Sequence, residues 1–267
     1  MFLFEEFFHF IRADSIWKTS LVPKIKLDLG LELDMVEPAP LPLIDYEKHY
    51  DFCAFTPMQL KNFAKYMKTI KTVIVGGGRV SEPIKKMVQD KAAKVYETYG
   101  MTETVSHIAV KKINHLTSDD DGLFKTLPDI TISSDERGCL VINAPSLSDE
   151  TIVTNDIVKV HSSTSFEWIG RFDNVVNSGG IKLFPEEIEA KLRNKIEQQF
   201  FVSSVPDHTL GEKLILVLED KTNNLNASVF DELEKFEKPK TVYALPKFIE
   251  TGSGKIHRIK TLKKLGL

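Results

Sequence analysis

The sequence feature that most constrains the fold is a strand, a glycine turn, a helix and a second strand that follow one another in mid-chain. KTVIVGGGRV predicts a buried strand over residues 72–75 that runs directly into the glycine turn. SEPIKKMVQDKAA predicts a helix capped by Ser81, and KVYETYG predicts the next short strand. This order of elements is typical of an α/β layer with a largely parallel sheet.

The regions on either side of this layer predict further elements. DFCAFTPMQLKNFAKYM predicts a strand and then a helix, whereas GCLVINAP, DETIVTNDIVKV and SFEWIGRF predict antiparallel strands. Beyond residue 173, PEEIEAKLRNKI predicts a helix, FFVSSVPD and EKLILVLED predict strands, and SVFDELEKF predicts a short helix. We therefore expect two domains, residues 1–172 and a compact α+β unit of residues 173–267, with the boundary at Asp173.

Composition excludes several classes of protein. The net charge of −3 over 267 residues provides no general attraction to nucleic acid or to an anionic membrane. Cys53 and Cys139 lie far apart and outside any metal-ligand spacing, which favours two reduced thiols in a cytosolic protein. Residues 2–11 predict an amphipathic helix, and the charges within this stretch argue against a signal peptide. No apolar run approaches the ~20 residues of a membrane span, so we expect a soluble, cytoplasmic protein.

The segment VYETYGMTET, from residue 95 to 104, is the first candidate for chemistry. Hydroxyl groups at Thr98, Thr102 and Thr104 alternate with the aromatic ring of Tyr99 and the acid of Glu103. The intervening glycine permits close approach of a ligand. Taken alone, the same residues are equally compatible with a polar turn after a strand.

The second candidate is WIGRFDNVVNSGGIKLFPEEIE, from residue 168 to 189. Gly170 and the glycine turn at residues 178–180 are expected to leave backbone N–H groups free for an oxygen-rich ligand. Arg171 and Lys182 supply positive charge nearby. A single glycine-rich loop is a weak signal, because such turns commonly only connect strands.

The third candidate is PKFIETGSGKIHR, from residue 246 to 258. Two glycines flank Ser253 just before Lys255, an arrangement suited to a side chain that must move. Three further lysines in the basic tail, Lys260, Lys263 and Lys264, are interpreted as a solvated surface.

Together, and in this order, these segments resemble the acyl-adenylate-forming superfamily of acyl-CoA synthetases, luciferases and peptide-synthetase adenylation domains. VIVGGGRVS resembles its adenine loop, YETYGMTET its Tyr-Gly-x-Thr-Glu signature, and VTNDIVKV its ribose motif, with Asn155 in the glycine position. GRFDNVVNSGGIKLFPEEIE resembles the hinge motif, and PKFIETGSGKIHR the motif of the terminal catalytic lysine. The compact C-terminal domain, MTET followed by VSHIAV, and the Ser-Gly-Gly turn resemble the o-succinylbenzoate–CoA ligases of menaquinone synthesis.

The resemblance implies an α/β fold in which a large N-terminal adenylate-forming domain, partly missing here, precedes a small mobile α+β domain. It implies a ligase that activates a carboxylic acid with ATP and Mg²⁺ as an acyl-adenylate, and then transfers the acyl group to coenzyme A. The implied nucleotide and metal contacts are Gly77 and Gly78 at the purine edge, Tyr99 stacking on adenine, Thr98 and Thr102 donating to phosphate, Glu103 on Mg²⁺, Asp156 on the ribose hydroxyls, and Arg171 and Lys182 as nearby cations. The other implied roles are Lys255 as the adenylation lysine, Asp173 as the hinge, Gly179 and Gly180 near the thioester site, and Ser106 and His107 in the acyl pocket, where a structural His107 is an equal alternative.

Three alternatives remain open at this level. The chain could act on another aryl or fatty acid, or it could be a non-catalytic nucleotide-binding paralogue. A nucleic-acid binder that used the basic tail would lack a recognition element. The partners expected for this chain are therefore small molecules, namely the acid, ATP and CoA. Neither nucleic acid nor a membrane is an expected partner.

The phosphate-binding loop of the superfamily is incomplete in this sequence. KTSLVPK at residues 18–24 keeps the flanks of the loop but lacks its Gly-Ser-Thr-Gly centre, and the elements expected after residue 28 are missing. Our preferred interpretation is that the sequence joins segments of a longer chain, which predicts an intact mass above 30.3 kDa. The alternative is a genuinely shortened paralogue.

Overall fold

The computed structural model describes residues 32, 34, 36, 39–104, 107–251 and 256–267. The chain divides into two compact units. Unit 1 comprises Met1–Thr154 and Val158–Trp168, and unit 2 comprises Asn155–Ile157 and Ile169–Leu267. The predicted boundary at Asp173 therefore lies just inside unit 2. The helix predicted for residues 2–11 lies outside the described residues.

The elements that precede residue 172 form a mixed α/β layer. In chain order they are β1 (Tyr50–Phe55), α1 (Pro57–Phe63), β2 (Ile70–Val75), α2 (Glu82–Met87), β3 (Lys94–Gly100), β4 (His107–Lys112), β5 (Phe124–Thr126), β6 (Thr131–Ser134), β7 (Cys139–Asn143), β8 (Ile152–Ser162) and β9 (Ser165–Arg171). Among the described residues these strands pair in the order β1-β2-β3-β4-β5-β9-β8-β7-β6. The predicted parallel arrangement is found across β1, β2 and β3, and the sheet becomes antiparallel from β4 onward.

Local chemistry explains where α1 begins. The Thr56 side chain accepts a hydrogen bond from the backbone of Gln59, and the Gln59 side chain accepts one from the backbone of Thr56, which completes a capping box. Pro57 occupies the first turn, where its missing N–H costs nothing. Leu60 and Phe63 are fully buried, so the helix packs its apolar face into the core of unit 1.

Unit 2 is an α+β unit built on a second sheet. Its elements are β10 (Val176–Ser178), β11 (Ile181–Leu183), α3 (Pro185–Leu192), β12 (Phe200–Asp207), β13 (Gly211–Glu219), β14 (Thr241–Leu245) and α4 (Arg258–Lys264). The strands pair in the order β11-β10-β13-β12, and β14 pairs in parallel with β13. Alternate residues of β12 and β13 enter two separate apolar clusters, so the sheet is buried on both faces.

The prediction of a short helix over SVFDELEKF is wrong. The structure has only a 3₁₀ turn there, Ala227–Phe230, which buries none of its residues. The Asn226 side chain accepts a hydrogen bond from the backbone of Ser228, and Leu233 is the next buried side chain. A segment that buries so little apolar surface gains little from extension into a helix. None of the helices in the described part of the chain is long and apolar enough to cross a membrane.

Candidate functional site

The predicted nucleotide residues of unit 1 meet at the carboxyl ends of β2 and β3. Because Val75 pairs with Glu97 across these parallel strands, Gly76 leaves β2 beside Thr98. A methyl carbon added at Gly76 would lie 2.9 Å from the Thr98 hydroxyl and 3.2 Å from Nε2 of His107. Only glycine therefore fits at this position. The carboxyl ends of parallel strands are the usual ligand-binding edge of an α/β sheet.

The next two glycines of the loop are open to solvent. Gly77 and Gly78 are exposed, and Gly77 has a φ of +79°, which favours glycine. No atom lies within 4 Å of a methyl carbon built at Gly77. The loop backbone is thus accessible to a flat ligand, as its predicted role at the purine edge requires. No role was predicted for Gly76 from the sequence, although a run of three glycines is a signal that could have indicated a close contact there.

The Thr98 hydroxyl already donates its hydrogen bond within the protein. Its Oγ1 lies 3.2 Å from the carbonyl oxygen of Val75, to which it donates. A hydroxyl carries a single proton, so Thr98 can donate to a phosphate only if this bond is broken. In this structure Thr98 ties β3 to the start of the glycine loop.

The turn after β3 presents two of the predicted catalytic residues. Thr102 and Glu103 are exposed on the 3₁₀ turn Thr102–Thr104. Thr104 is buried; its hydroxyl donates to the carbonyl of Met101 and accepts from the Met101 N–H, both at 3.0 Å. Thr104 therefore closes the turn and leaves the two exposed side chains accessible. An exposed carboxylate beside a glycine loop has the hard oxygen chemistry that fits Mg²⁺.

The ring of Tyr99 is held by aromatic contacts. Its centroid lies 5.2 Å from that of Phe166 and 5.9 Å from that of Phe124, both in edge-on geometry. Tyr99 is half-buried, so part of its surface remains exposed. His107 is also half-buried, and its ring lies against Gly76. Ser106 and Lys255 lie outside the described residues.

In unit 2, one guanidinium joins the predicted ribose acceptor to the predicted hinge. Nη1 of Arg171 lies 3.6 Å from Oδ1 of Asp156, and Nη2 lies 3.1 Å from Oδ2 of Asp173. Asp156 is buried, whereas Arg171 and Asp173 are exposed. The structure thus brings together three of the predicted site residues, and Lys182 is exposed on β11 of the same unit.

The glycine turn at residues 178–180 differs from the expectation. Gly179 and Gly180, with φ of +58° and +83°, form a two-residue hairpin between β10 and β11. The Gly179 N–H donates to the carbonyl of Leu210 at 2.8 Å, so the expectation that it is free for a ligand is wrong. Gly170 is buried, and a methyl carbon there would lie 2.7 Å from Oε2 of Glu186, so a protein carboxylate lies against this residue.

In sequence, the chain is similar to 2-succinylbenzoate–CoA ligases. No protein-family model matches the chain. The 2-succinylbenzoate–CoA ligase of Geobacillus sp. (strain WCH70) is 26% identical over 233 residues, which cover 74% of this chain and 47% of that protein. The corresponding ligase of Escherichia coli (strain K12) is 26% identical over 208 residues, with coverages of 71% and 45%. The predicted resemblance to these ligases is confirmed.

A solved structure shows the same fold. O-succinylbenzoate coenzyme A synthetase of Bacillus subtilis, in complex with ATP and magnesium ion, superposes with a TM-score of 0.69 at 18% identity, covering 79% of this chain and 51% of that one. The chain therefore has the mixed α/β fold of adenylate-forming enzymes. It spans about half the length of the curated relatives that it matches.

Proposed function

We propose that this protein is an ATP-dependent acid–CoA ligase, which activates o-succinylbenzoate as an acyl-adenylate and then transfers the acyl group to coenzyme A. The observation that carries the proposal is that Gly77 and Gly78, which follow β2, and the Thr102–Glu103 turn, which follows the adjacent parallel strand β3, are all exposed. The similarity to 2-succinylbenzoate–CoA ligases supports the reaction type and the acid.

The proposed nucleotide contacts follow the roles that the resemblance implies. Gly77 and Gly78 would bring backbone atoms to the purine edge, and the exposed part of Tyr99 would cover one face of the base. Asp156 would accept hydrogen bonds from the ribose hydroxyls, and Arg171 would lie on the ribose and phosphate side. Lys182 would add positive charge. Thr98 acts here by fixing the glycine loop, which leaves Thr102 as the better donor to phosphate.

In the first half-reaction, an oxygen of the substrate carboxylate attacks the α-phosphorus of ATP, and the bond to pyrophosphate breaks. Negative charge accumulates on phosphate oxygens, so the protein contributes mainly position and opposite charge. The Thr102 hydroxyl would donate to one of these oxygens, and Lys255 would bridge the carboxylate and the phosphate. Glu103 would hold Mg²⁺, which supplies charge neutralisation when bound.

In the second half-reaction, the sulfur of coenzyme A attacks the acyl carbon and AMP leaves. We propose that residues 173–267 rotate about Asp173 as a mobile domain against a large domain of residues 1–172, which is incomplete on its N-terminal side. Gly179 and Gly180 would then lie near the thioester site, and Ser106 and His107 would line the acyl pocket. A cytoplasmic location, with small-molecule partners only, accords with this chemistry.

The role of Lys255 tests the proposal directly. We expect Lys255→Ala to lower acyl-adenylate formation by about 10²-fold or more, because a charge that stabilises the transition state is lost. Adenylation is measured by ATP–pyrophosphate exchange, and the second half-reaction is measured with synthetic acyl-adenylate and coenzyme A. We expect the second half-reaction to remain largely intact.

The matched control is Lys260→Ala, which removes an exposed lysine from α4 of the same tail. We expect this variant to retain both half-reactions. Equal loss of the two half-reactions in Lys255→Ala, or equal behaviour of the two lysine variants, would contradict the assigned role.

A further inference from the structure

A buried carboxylate lies directly behind the glycine loop and has no place in the mechanism above. Glu97 is only 3% exposed. It lies on β3, and the residues beside it on β2 are apolar and buried. A buried carboxylate is costly unless it is paired and hydrogen-bonded. Its partners therefore indicate why the charge is there.

The first partner of Glu97 is the far end of the glycine loop. The backbone N–H of Val80 donates to Oε1 of Glu97 at 2.9 Å, in a fully buried bond. At the near end, the N–H of Gly76 donates to the carbonyl of Phe55 at 3.0 Å. The loop is thus tied at both ends, and Gly77 is exposed between the ties.

The second partner is a lysine from the adjacent strand. Lys111 pairs directly with Glu97 across β3 and β4, and its Nζ lies 2.7 Å from Oε2 of Glu97. The same ammonium group lies 4.3 Å from the centroid of the Phe124 ring. Burial lowers the pKa of Lys111, and the charge of Glu97 opposes this shift. Lys111 therefore balances the charge of the carboxylate, while the other carboxylate oxygen holds the loop.

We propose that Glu97 is a positioning residue for the nucleotide: through Val80 it holds the glycine loop in the conformation that binds the adenine side of ATP, and Lys111 neutralises its charge. This inference rests on the proposed function, because it assigns ATP to the glycine loop. Glycine residues lose more conformational freedom on ordering than any other type. A loop that is already ordered does not pay this entropy when the ligand binds.

Two double variants separate the effect of the Val80–Glu97 hydrogen bond on ATP binding from the effect of the buried charge. Glu97→Gln/Lys111→Met leaves no buried charge and keeps a side-chain acceptor for the Val80 N–H. Glu97→Leu/Lys111→Met also leaves no buried charge but removes the acceptor. The two double variants differ only in whether residue 97 carries a side-chain amide. A difference in ATP affinity between them therefore measures the contribution of the hydrogen bond from the Val80 N–H. The control Glu82→Gln changes an exposed acid at the start of α2, close to the loop.

The measurement is the dissociation constant for ATP by calorimetric titration, together with the KM values for ATP, acid and coenzyme A. We expect the Gln/Met variant and Glu82→Gln to bind ATP within about threefold of the wild type. We expect the Leu/Met variant to bind ATP about tenfold to a hundredfold more weakly, as the loss of one buried hydrogen bond and the loop disorder it permits imply. Its KM should rise for ATP alone, and its kcat at saturating ATP should change little.

The outcomes separate this inference from the proposed function. Equal ATP affinity in the two double variants would overturn the positioning role and leave the proposed function standing. A parallel rise of all three KM values would also overturn it, because general loss of structure would then explain the effect; melting curves of both variants are recorded alongside. A wild-type protein that binds no ATP would overturn the proposed function, and the inference with it.

Discussion

Asp120 lines a small surface cleft and shows how a half-buried carboxylate can be held in its ionised form. It accepts hydrogen bonds from the Thr117 N–H at 2.8 Å and the Thr117 hydroxyl at 2.9 Å, and Nζ of Lys112 lies 3.0 Å away. The Thr117 backbone bond and the Lys112 contact lower the pKa of Asp120 from 3.8 to about 2. All three contacts favour the charged form of the carboxylate.

The pH dependence of stability follows from this shift. Since the folded pKa lies below the unfolded one, the stabilisation by Asp120 is fully present above pH 3.8 and is lost as the pH falls through about 2. We expect Asp120→Asn to lower the melting temperature at pH 5 to 7, and the difference from the wild type to shrink between pH 4 and 2. Asp119→Asn, a change at the exposed neighbour, is the control. A difference that stays constant across this range would refute the assignment.

Residue types in the site could be predicted from sequence, but their partners could not. The sequence left open a polar turn after the strand that contains Tyr99, and the structure has a turn there in which Thr102 and Glu103 are exposed. It gave no sign that the Thr98 proton is used by the Val75 carbonyl, because that contact depends on the register of β2 against β3. Glu97 was missed for the same reason. An acid within a predicted strand is normally assigned to the solvent-facing side, because the sequence does not show which residues of the neighbouring strands surround it.

At the scale of elements, the predicted hinge lies in a single 3₁₀ turn, Phe172–Asn174. Asp173 is exposed in this turn and is bound only through its ion pair with Arg171 among the contacts described. The next residue is held more firmly, because the Asn174 side chain donates to Oε1 of Glu186 on α3. A pivot at Asp173 would therefore leave the contact between Asn174 and α3 intact.

Restricting φ at residue 173 tests the pivot. We expect Asp173→Pro to lower thioester formation far more than adenylation, because proline fixes φ and hinders the rotation between the two half-reactions. The control is Asp173→Asn, which removes the charge opposite Arg171 but leaves φ free. Both half-reactions are measured separately, with a melting curve for each variant. If adenylation and thioester formation fall together in a folded proline variant, Asp173 is not the pivot.

Elements with strong local signals were predicted well. The parallel strands β1 to β3 and the helices α1 and α3 lie in the segments for which strands and helices were predicted. α2 is shorter than the predicted segment, and the Ser81 side chain makes no capping hydrogen bond. The helix prediction around Ala227–Phe230 was wrong because helix length there depends on packing partners, which the local sequence does not reveal.

At the scale of the whole molecule, two units with separate apolar cores carry the site residues. Unit 1 holds the glycine loop and the Thr102–Glu103 turn, and unit 2 holds Asp156, Arg171 and the predicted hinge. Each unit buries its own cluster of aliphatic and aromatic side chains. We propose that this division into two units allows the rotation that the two half-reactions need.

The most direct test of the proposed ligase activity is ATP–pyrophosphate exchange by the wild-type protein, with o-succinylbenzoate compared against a panel of aryl and fatty acids. We expect Mg²⁺-dependent exchange that requires o-succinylbenzoate, and formation of the corresponding thioester when coenzyme A is added. Exchange that is fastest with another acid would contradict the assigned substrate. A folded protein that gives no exchange with any acid would contradict the enzymatic function itself.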